Sequence, residues 1–210
     1  MNIVLVLRTG RNFGVRDVEL LSRKIIKTTP GVKIICLSDT LITLPGVEYQ
    51  PLCNDWKKWW CRMELYSPRL LDYRPFLFID LDTIVLGDLN ELIDLIPDKN
   101  MYIPLEDFYQ KGKLATGFLW MPKDNPKVNR VWIEWFKAGC PDTVTRMDYF
   151  LRTHIIPDTY WQRLTNKIVD FKPIRKPLLK DPGDAIAVCL HGKPSVWEAD
   201  VEWVKKYRNE

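Results

Sequence analysis

Two carboxylates two positions apart, Asp80 and Asp82, follow the apolar run Phe76-Leu77-Phe78-Ile79. In extended backbone, residues two apart point to the same side, so the spacing predicts acidic side chains that converge at a strand end and can share one cation. In open α/β sheets that end is also where ligands sit. The plainer alternative is a pair of acids that closes the strand and caps the next helix. A second group lies near the end of the chain, where the run Ala185–Leu190 is followed by His191-Gly192-Lys193-Pro194 and then Trp197. His191 offers a nitrogen ligand to the same cation, and Lys193 a positive charge for a phosphate oxygen beside it. Gly192 and Pro194 are also ordinary turn residues, so the alternative there is an exposed turn.

Taken in this order, Asp80-Leu81-Asp82 and His191-Gly192-Lys193-Pro194 with Trp197 resemble the paired motifs of nucleotide-sugar glycosyltransferases with the GT-A fold. The pattern is similar to that of the glycogenin and bacterial lipopolysaccharide galactosyltransferase type. The resemblance implies that Asp80, Asp82 and His191 hold a metal ion, that a UDP-sugar is the donor and a glycan or other hydroxyl compound the acceptor, and that the anomeric configuration is retained. It further implies that Leu7, Arg8, Thr9, Ser38 and Asp39 line the base and ribose pocket. Arg62, in Trp59-Trp60-Cys61-Arg62, is placed by it near the diphosphate or donor sugar, with Leu81, Thr116, Gly117 and Lys193 also on the donor. Asp148 would act at the sugar or the acceptor, although Arg146-Met147-Asp148 lacks the glutamine of the family's Asp-Gln-Asp helix start.

These residue types suit that chemistry. Breaking a sugar–phosphate bond releases a nucleoside diphosphate whose growing negative charge must be stabilised, and a divalent ion with Arg62 and Lys193 beside it would do so. Mixed oxygen and nitrogen ligands favour Mn²⁺ over Ca²⁺, with Mg²⁺ left open. If Trp56–Tyr66 is a helix, the neighbours of Arg62 three and four positions away are Lys58, Trp59, Leu65 and Tyr66, so no local ion pair accounts for it. Trp59 and Trp60 read as core aromatics. His154 has no evident partner.

Strands and helices alternate around these residues. Ile3–Leu7 is a continuous apolar run, as in a strand buried on both faces, and Val15, Val18, Leu21 and Ile25 recur at helical spacing before Pro30-Gly31. Strands are predicted at 32–37, 47–52, 76–79, 101–105, 117–121, 168–171 and 185–190, and helices at 56–66, 88–96, 126–137 and 147–153. The Pro- and Lys-rich stretch 172–184 reads as a loop over a site. The expectation is an α/β protein, one GT-A domain over residues 1–210 with a mostly parallel central sheet.

The 210 residues, 46% hydrophobic and 28% charged, have ordinary globular composition, which excludes collagen-like repeats, a coiled coil and long disorder. No apolar run approaches the roughly 20 residues of a membrane span. Residues 1–7 read as a first strand rather than a signal peptide. Five scattered cysteines without a Cys-x-x-Cys pair suggest neither a disulfide framework nor zinc, and point to a reducing compartment, the cytoplasm. The charged segment 205–210 would also suit one domain of a longer chain.

Two other functions fit less well. Phe-Ile-Asp-Leu-Asp-Thr also resembles the nucleophile motif of haloacid-dehalogenase-like phosphohydrolases. Here, however, Thr83 directly follows the second Asp, the motif lies well inside the chain, and no later Gly-Asp is followed by the expected acidic partner. A non-enzymatic carbohydrate- or nucleic-acid-binding module is allowed by nine tryptophans and a net charge of +4, but no Lys/Arg stripe interleaves with the aromatics, so nucleic acid is not the expected partner.

Overall fold

The computed structural model describes residues 1–10, 12–142, 146–172 and 177–209. A six-stranded sheet has the order β3-β2-β1-β4-β7-β6, built from β1 (Asn2–Leu7), β2 (Lys33–Ser38), β3 (Val47–Pro51), β4 (Phe76–Ile79), β6 (Ile103–Glu106) and β7 (Leu114–Met121). The three pairings from β3 to β4 are parallel, and those of β7 with β4 and β6 antiparallel. The sheet is therefore mixed and mostly parallel, as expected.

Period-two alternation with both faces covered explains why Ile3–Leu7 of β1 and the whole of β4 are apolar. Ile3, Leu5 and Leu7 of β1 and Leu77 and Ile79 of β4 pack on one face, with Val18, Leu21 and Ile25 of α1 (Val15–Thr28) and Leu89 and Leu92 of α2 (Leu89–Asp94). Val4 and Val6 of β1 and Phe76 and Phe78 of β4 pack on the other, against α3 (Pro126–Lys137) and α4 (Met147–His154). Asn125 caps α3 by accepting the Lys127 N–H at 3.0 Å, with Pro126 in the first turn, so its start is placed as the sequence predicts.

The segment expected as a helix over 56–66 is a 3-10 helix, Lys58–Tyr66. The tighter winding serves the packing. Three residues per turn put Trp59 and Arg62 on one edge and Trp60, Met63 and Tyr66 on another. Trp60 stacks on Trp135 of α3 at 4.7 Å, while Trp56 meets the same ring edge-on at 5.5 Å. The partly exposed edge carries Trp59 and Arg62 toward the ends of β1 and β4.

A second sheet, ordered β5-β9-β8, is formed by β5 (Thr83–Val85), β8 (Ile168–Asp170) and β9 (Ala187–Cys189). The sequence reading missed β5 and gave β9 twice its length. Thr83, Cys189 and Asp170 stand side by side in this sheet, so Asp82, His191 and Asp170 all lie at one end of it. Two short helices were also unforeseen, α5 (Trp161–Leu164) and α6 (Glu202–Asn209). The latter buries Val204 and Tyr207 against the second sheet and exposes its charges. Among the described residues no helix is long and apolar enough to cross a membrane.

Because the Trp60–Trp135 stack fixes the helix that carries Arg62, Trp60→Ala should lower unfolding free energy by about 3–5 kcal/mol in urea titrations. A loss under about 1 kcal/mol would show that the stack does not anchor this element.

Candidate active site

The two acidic residues lie in a tight turn rather than in extended backbone: β4 ends at Ile79, and the Thr83 N–H returns to the Asp80 carbonyl at 3.0 Å. The expected convergence survives for a different reason, since the turn brings the carboxylates together. The Asp80 N–H donates to the Gly117 carbonyl at 2.9 Å, continuing the β4–β7 ladder past its last strand pair and seating the turn beside Thr116 and Gly117.

Asp80 is buried, and its Oδ2 lies 2.5 Å from Nη2 of Arg62, 18 residues away in sequence. Burial pushes the Asp80 carboxyl above the usual carboxylate range, the neighbouring Asp82 adds to the rise, and Arg62 opposes it. Asp82 is held from the other side: its Oδ2 accepts the Gly192 N–H at 2.8 Å, and its carbonyl accepts the Leu190 N–H at 2.9 Å. The two sequence motifs thus touch.

His191 adopts a left-handed backbone, φ 52°, that turns its ring between Phe108 at 5.2 Å and Tyr109 at 5.9 Å. Its Nε2 is buried without a hydrogen-bond partner, 3.9 Å from Oδ1 of Asp170. Lys172 braces the same loop by donating from Nζ to the carbonyls of His191 and Lys193, both at 2.7 Å. Burial pulls the Lys172 ammonium below its ordinary value, with Asp82 and Asp170 opposing. Residues 173–176 of the expected site loop lie outside the described residues.

Asp148, in the first turn of α4, accepts a hydrogen bond from the Thr116 hydroxyl at 2.7 Å. It lines a cavity of about 300 Å³ together with Asp82, Arg62, Thr116, Arg146 and His191. An adjoining cavity reaches Arg8 and Asp80, and a third reaches Lys193 and Trp197; Asn12 and Phe13 line all three. One continuous cleft therefore runs over the ends of β1 and β4.

The remaining expected residues are placed as follows. Leu7 and Leu81 are packed in the core. Arg8 lines the cleft and pairs with Asp39 at 3.6 Å and with Asp55. Thr9 clips Asp39 through its N–H and its hydroxyl, both at 2.9 Å, and buried Ser38 accepts the Thr40 N–H at 3.1 Å. Gly117 meets only Leu105 where a side chain would stand, an ordinary contact. Lys193 is exposed and pairs with Glu198 at 2.8 Å. Trp60 is core, whereas Trp59 lines the cleft; His154 stacks on Phe150 at 3.9 Å, away from it. Asn12, Phe13 and Asp170 were missed, and neither their types nor their spacing marked them out; Lys172 opens the Pro- and Lys-rich stretch expected over a site.

The donor set suits a divalent cation. A buried and a half-buried carboxylate and an unpartnered imidazole nitrogen are hard and borderline ligands of the right kind, and Asp82 and His191 line one cavity. Among the described residues no three His, Cys, Asp or Glu side chains are already drawn together as a metal cluster. Arg62 and the Gly192 N–H occupy one oxygen each of Asp80 and Asp82 instead.

No family model and no curated protein matches the sequence. The structure does find relatives. An active-site mutant of LgtC matches with a TM-score of 0.68 at 12% identity, over 100% of this chain and 94% of that one. The fold is GT-A. The galactosyltransferase LgtC in complex with donor and acceptor sugar analogues also matches, with a TM-score of 0.64 at 12% identity. The glycosyltransferase GlyE of Streptococcus pneumoniae matches with a TM-score of 0.67 at 12% identity, over 100% of this chain and 60% of that one. In this GT-A fold the cleft lies beyond the strand ends, where the sequence reading placed it.

Removing the Arg62 guanidinium would leave buried Asp80 without its cation. Arg62→Met should lower stability by about 3 kcal/mol at about pH 8. A carboxyl raised by folding takes up its proton in the folded state first, so its destabilising charge fades as pH falls from the raised value toward the ordinary carboxylate range of about 4. The deficit should therefore shrink at about pH 5. An equal deficit at both pH values, in urea titrations, would refute this charge balance.

Proposed function

We propose that this protein is a metal-dependent glycosyltransferase that moves a sugar from a nucleoside-diphosphate sugar, a UDP-sugar, to a hydroxyl of a glycan acceptor with retention of configuration. The observation that carries this reading is the contact between the two motifs, Asp82 with Gly192, at the floor of a cleft in a GT-A fold. The relative whose structure holds donor and acceptor sugar analogues supports the substrate class. We read residues 1–210 as one catalytic domain working in the cytoplasm, in line with five free cysteines.

Asp80, Asp82 and His191 would hold Mn²⁺, with Mg²⁺ the alternative. When bound, the ion supplies neutralising charge to the departing diphosphate. The protein's own groups do the rest. Arg62, which pairs with Asp80 and lines the same cleft, would offer its guanidinium to the diphosphate and the donor sugar. Lys193 leaves an exposed ion pair, worth little in water, to reach a phosphate oxygen. Asp148, held by Thr116, points acceptor lone pairs at sugar hydroxyls and orients the reacting centre. Trp59 and Phe13 exclude water from one wall. Arg8, Thr9 and Asp39 form a bonded unit at the end of β1 and β2 for the base and ribose, with Ser38 beside it and Leu7 as its buried support.

Thermal unfolding with UDP, GDP and other nucleoside diphosphates, with and without Mn²⁺, tests this directly. A nucleotide at about a hundred times its dissociation constant should add about 2.7 kcal/mol, only with metal present, and the gain should vanish in Asp82→Asn. No stabilisation by any nucleoside diphosphate would refute the glycosyltransferase reading.

A further inference from the structure

Asp17 is a carboxylate in the first turn of α1 that is only 3% exposed, and none of the chemistry above uses it. Its two oxygens go to two distant parts of the chain. Oδ2 accepts the Gly14 N–H at 2.7 Å, and Oδ1 accepts the indole N–H of Trp197, also at 2.7 Å and 180 residues away. The preceding residue, Arg16, lays its guanidinium 4.8 Å over the Trp197 ring.

The segments joined in this way are the two walls of the cleft. Asn12, Phe13 and Arg16 face Gly192, Lys193 and Trp197 across a cavity of about 230 Å³. Asn12 and Phe13 continue past Arg62 to Asp80 and Asp82, and Gly192 holds Asp82, so a change in wall separation is felt at the reacting centre. Asn12 and Phe13 on one wall and Gly192, Lys193 and Trp197 on the other lie outside regular secondary structure, and among the described residues no backbone hydrogen bond joins the walls. The N3 side chain of a capping box needs only one acceptor, which the single amide oxygen of Gln would supply. The second oxygen of Asp17 is what makes the cap a cross-tie.

From this we infer that Asp17 is a positioning residue for the donor: by bonding Gly14 and Trp197 at once, it sets the spacing of the walls between which the anionic half of the nucleotide sugar lies. Arg16 and Lys193, on opposite walls, suit that diphosphate. The inference rests on the glycosyltransferase reading, and its test separates the two.

The first arm uses the unliganded full chain. Amide hydrogen exchange is followed in the wild type, in Asp17→Asn, and in the milder Trp197→Phe, which removes the donor without touching the helix cap. Both variants should speed exchange at Asn12–Gly14 and at 192–198 together, by about tenfold, the effect of one lost charge-assisted bond. If Trp197→Phe leaves Asn12–Gly14 unchanged, the cross-tie is refuted. The second arm measures UDP binding with Mn²⁺ by calorimetry, and donor KM and kcat in transfer. Each variant should weaken UDP and raise donor KM about tenfold with kcat within about twofold, and the double variant should do no more than either single one. Additive losses, or a fall in kcat at unchanged donor KM, overturn the positioning role. A wild type that binds no nucleoside diphosphate overturns the functional reading instead, and the exchange arm still decides whether the walls are coupled.

Discussion

Two neighbouring carboxylates at the end of a buried strand must be offset by something, because taking an ion out of water costs several kcal/mol even after relaxation. Asp80 and Asp82 set that requirement, and much of the architecture answers it. Arg62 reaches Asp80 from the 3-10 helix on one face of the central sheet; Gly192 reaches Asp82 from the strand end of the second, smaller sheet. The aromatic stack of Trp60 on Trp135 and the β5–β9 ladder therefore serve the same pair of charges from opposite sides.

The same arrangement makes the site one that can exchange partners. Arg62 is a tethered cation, and its guanidinium fork is matched equally to a carboxylate and to a phosphate. Under the proposed function, a divalent cation held by Asp80 would supply the charge that Arg62 supplies in the structure, and the guanidinium would then be available to the anionic donor. The buried, unpartnered nitrogen of His191 has no such resting partner, which leaves it open to a ligand.

What could be read from the sequence follows from which signals are local. The strands β1 and β4 are legible because both faces are buried and the apolar run is unbroken; α3 is legible because Asn125 and Pro126 mark its start and a buried stripe fills its length. The carboxylate pair was legible from its spacing even though the turn, not a strand, supplies the convergence. By contrast, β5 has three residues, too few for a period to show, and pairs only with β9; the equally short β8 and β9 were found from their apolar residues, but β9 at twice its length. The Arg62–Asp80 pair crosses from a helix to a strand end, so no i to i+4 rule could reveal it. Trp59 and Trp60 are adjacent and of one type, yet one lines the cleft and the other is core. Only the 3-10 winding distinguishes them, and that winding is set by Trp135, some 75 residues further on.

That dependence on distant partners also accounts for how a chain can share a fold with glycosyltransferases at about 12% identity. The parts that the proposed site needs are few: acids in a turn at one strand end, an imidazole at another, and walls that meet. Each is positioned by a ladder or a stack whose requirement is apolar volume and alternation, which many sequences satisfy. Side chains that must be particular, such as Asp82 against the Gly192 N–H and Asp17 against Gly14 and Trp197, sit where chain segments from opposite ends of the sequence come together. The amino-terminal and carboxy-terminal segments have to be closed onto each other before the cleft exists at all, so its geometry is a property of the finished fold and not of any one motif.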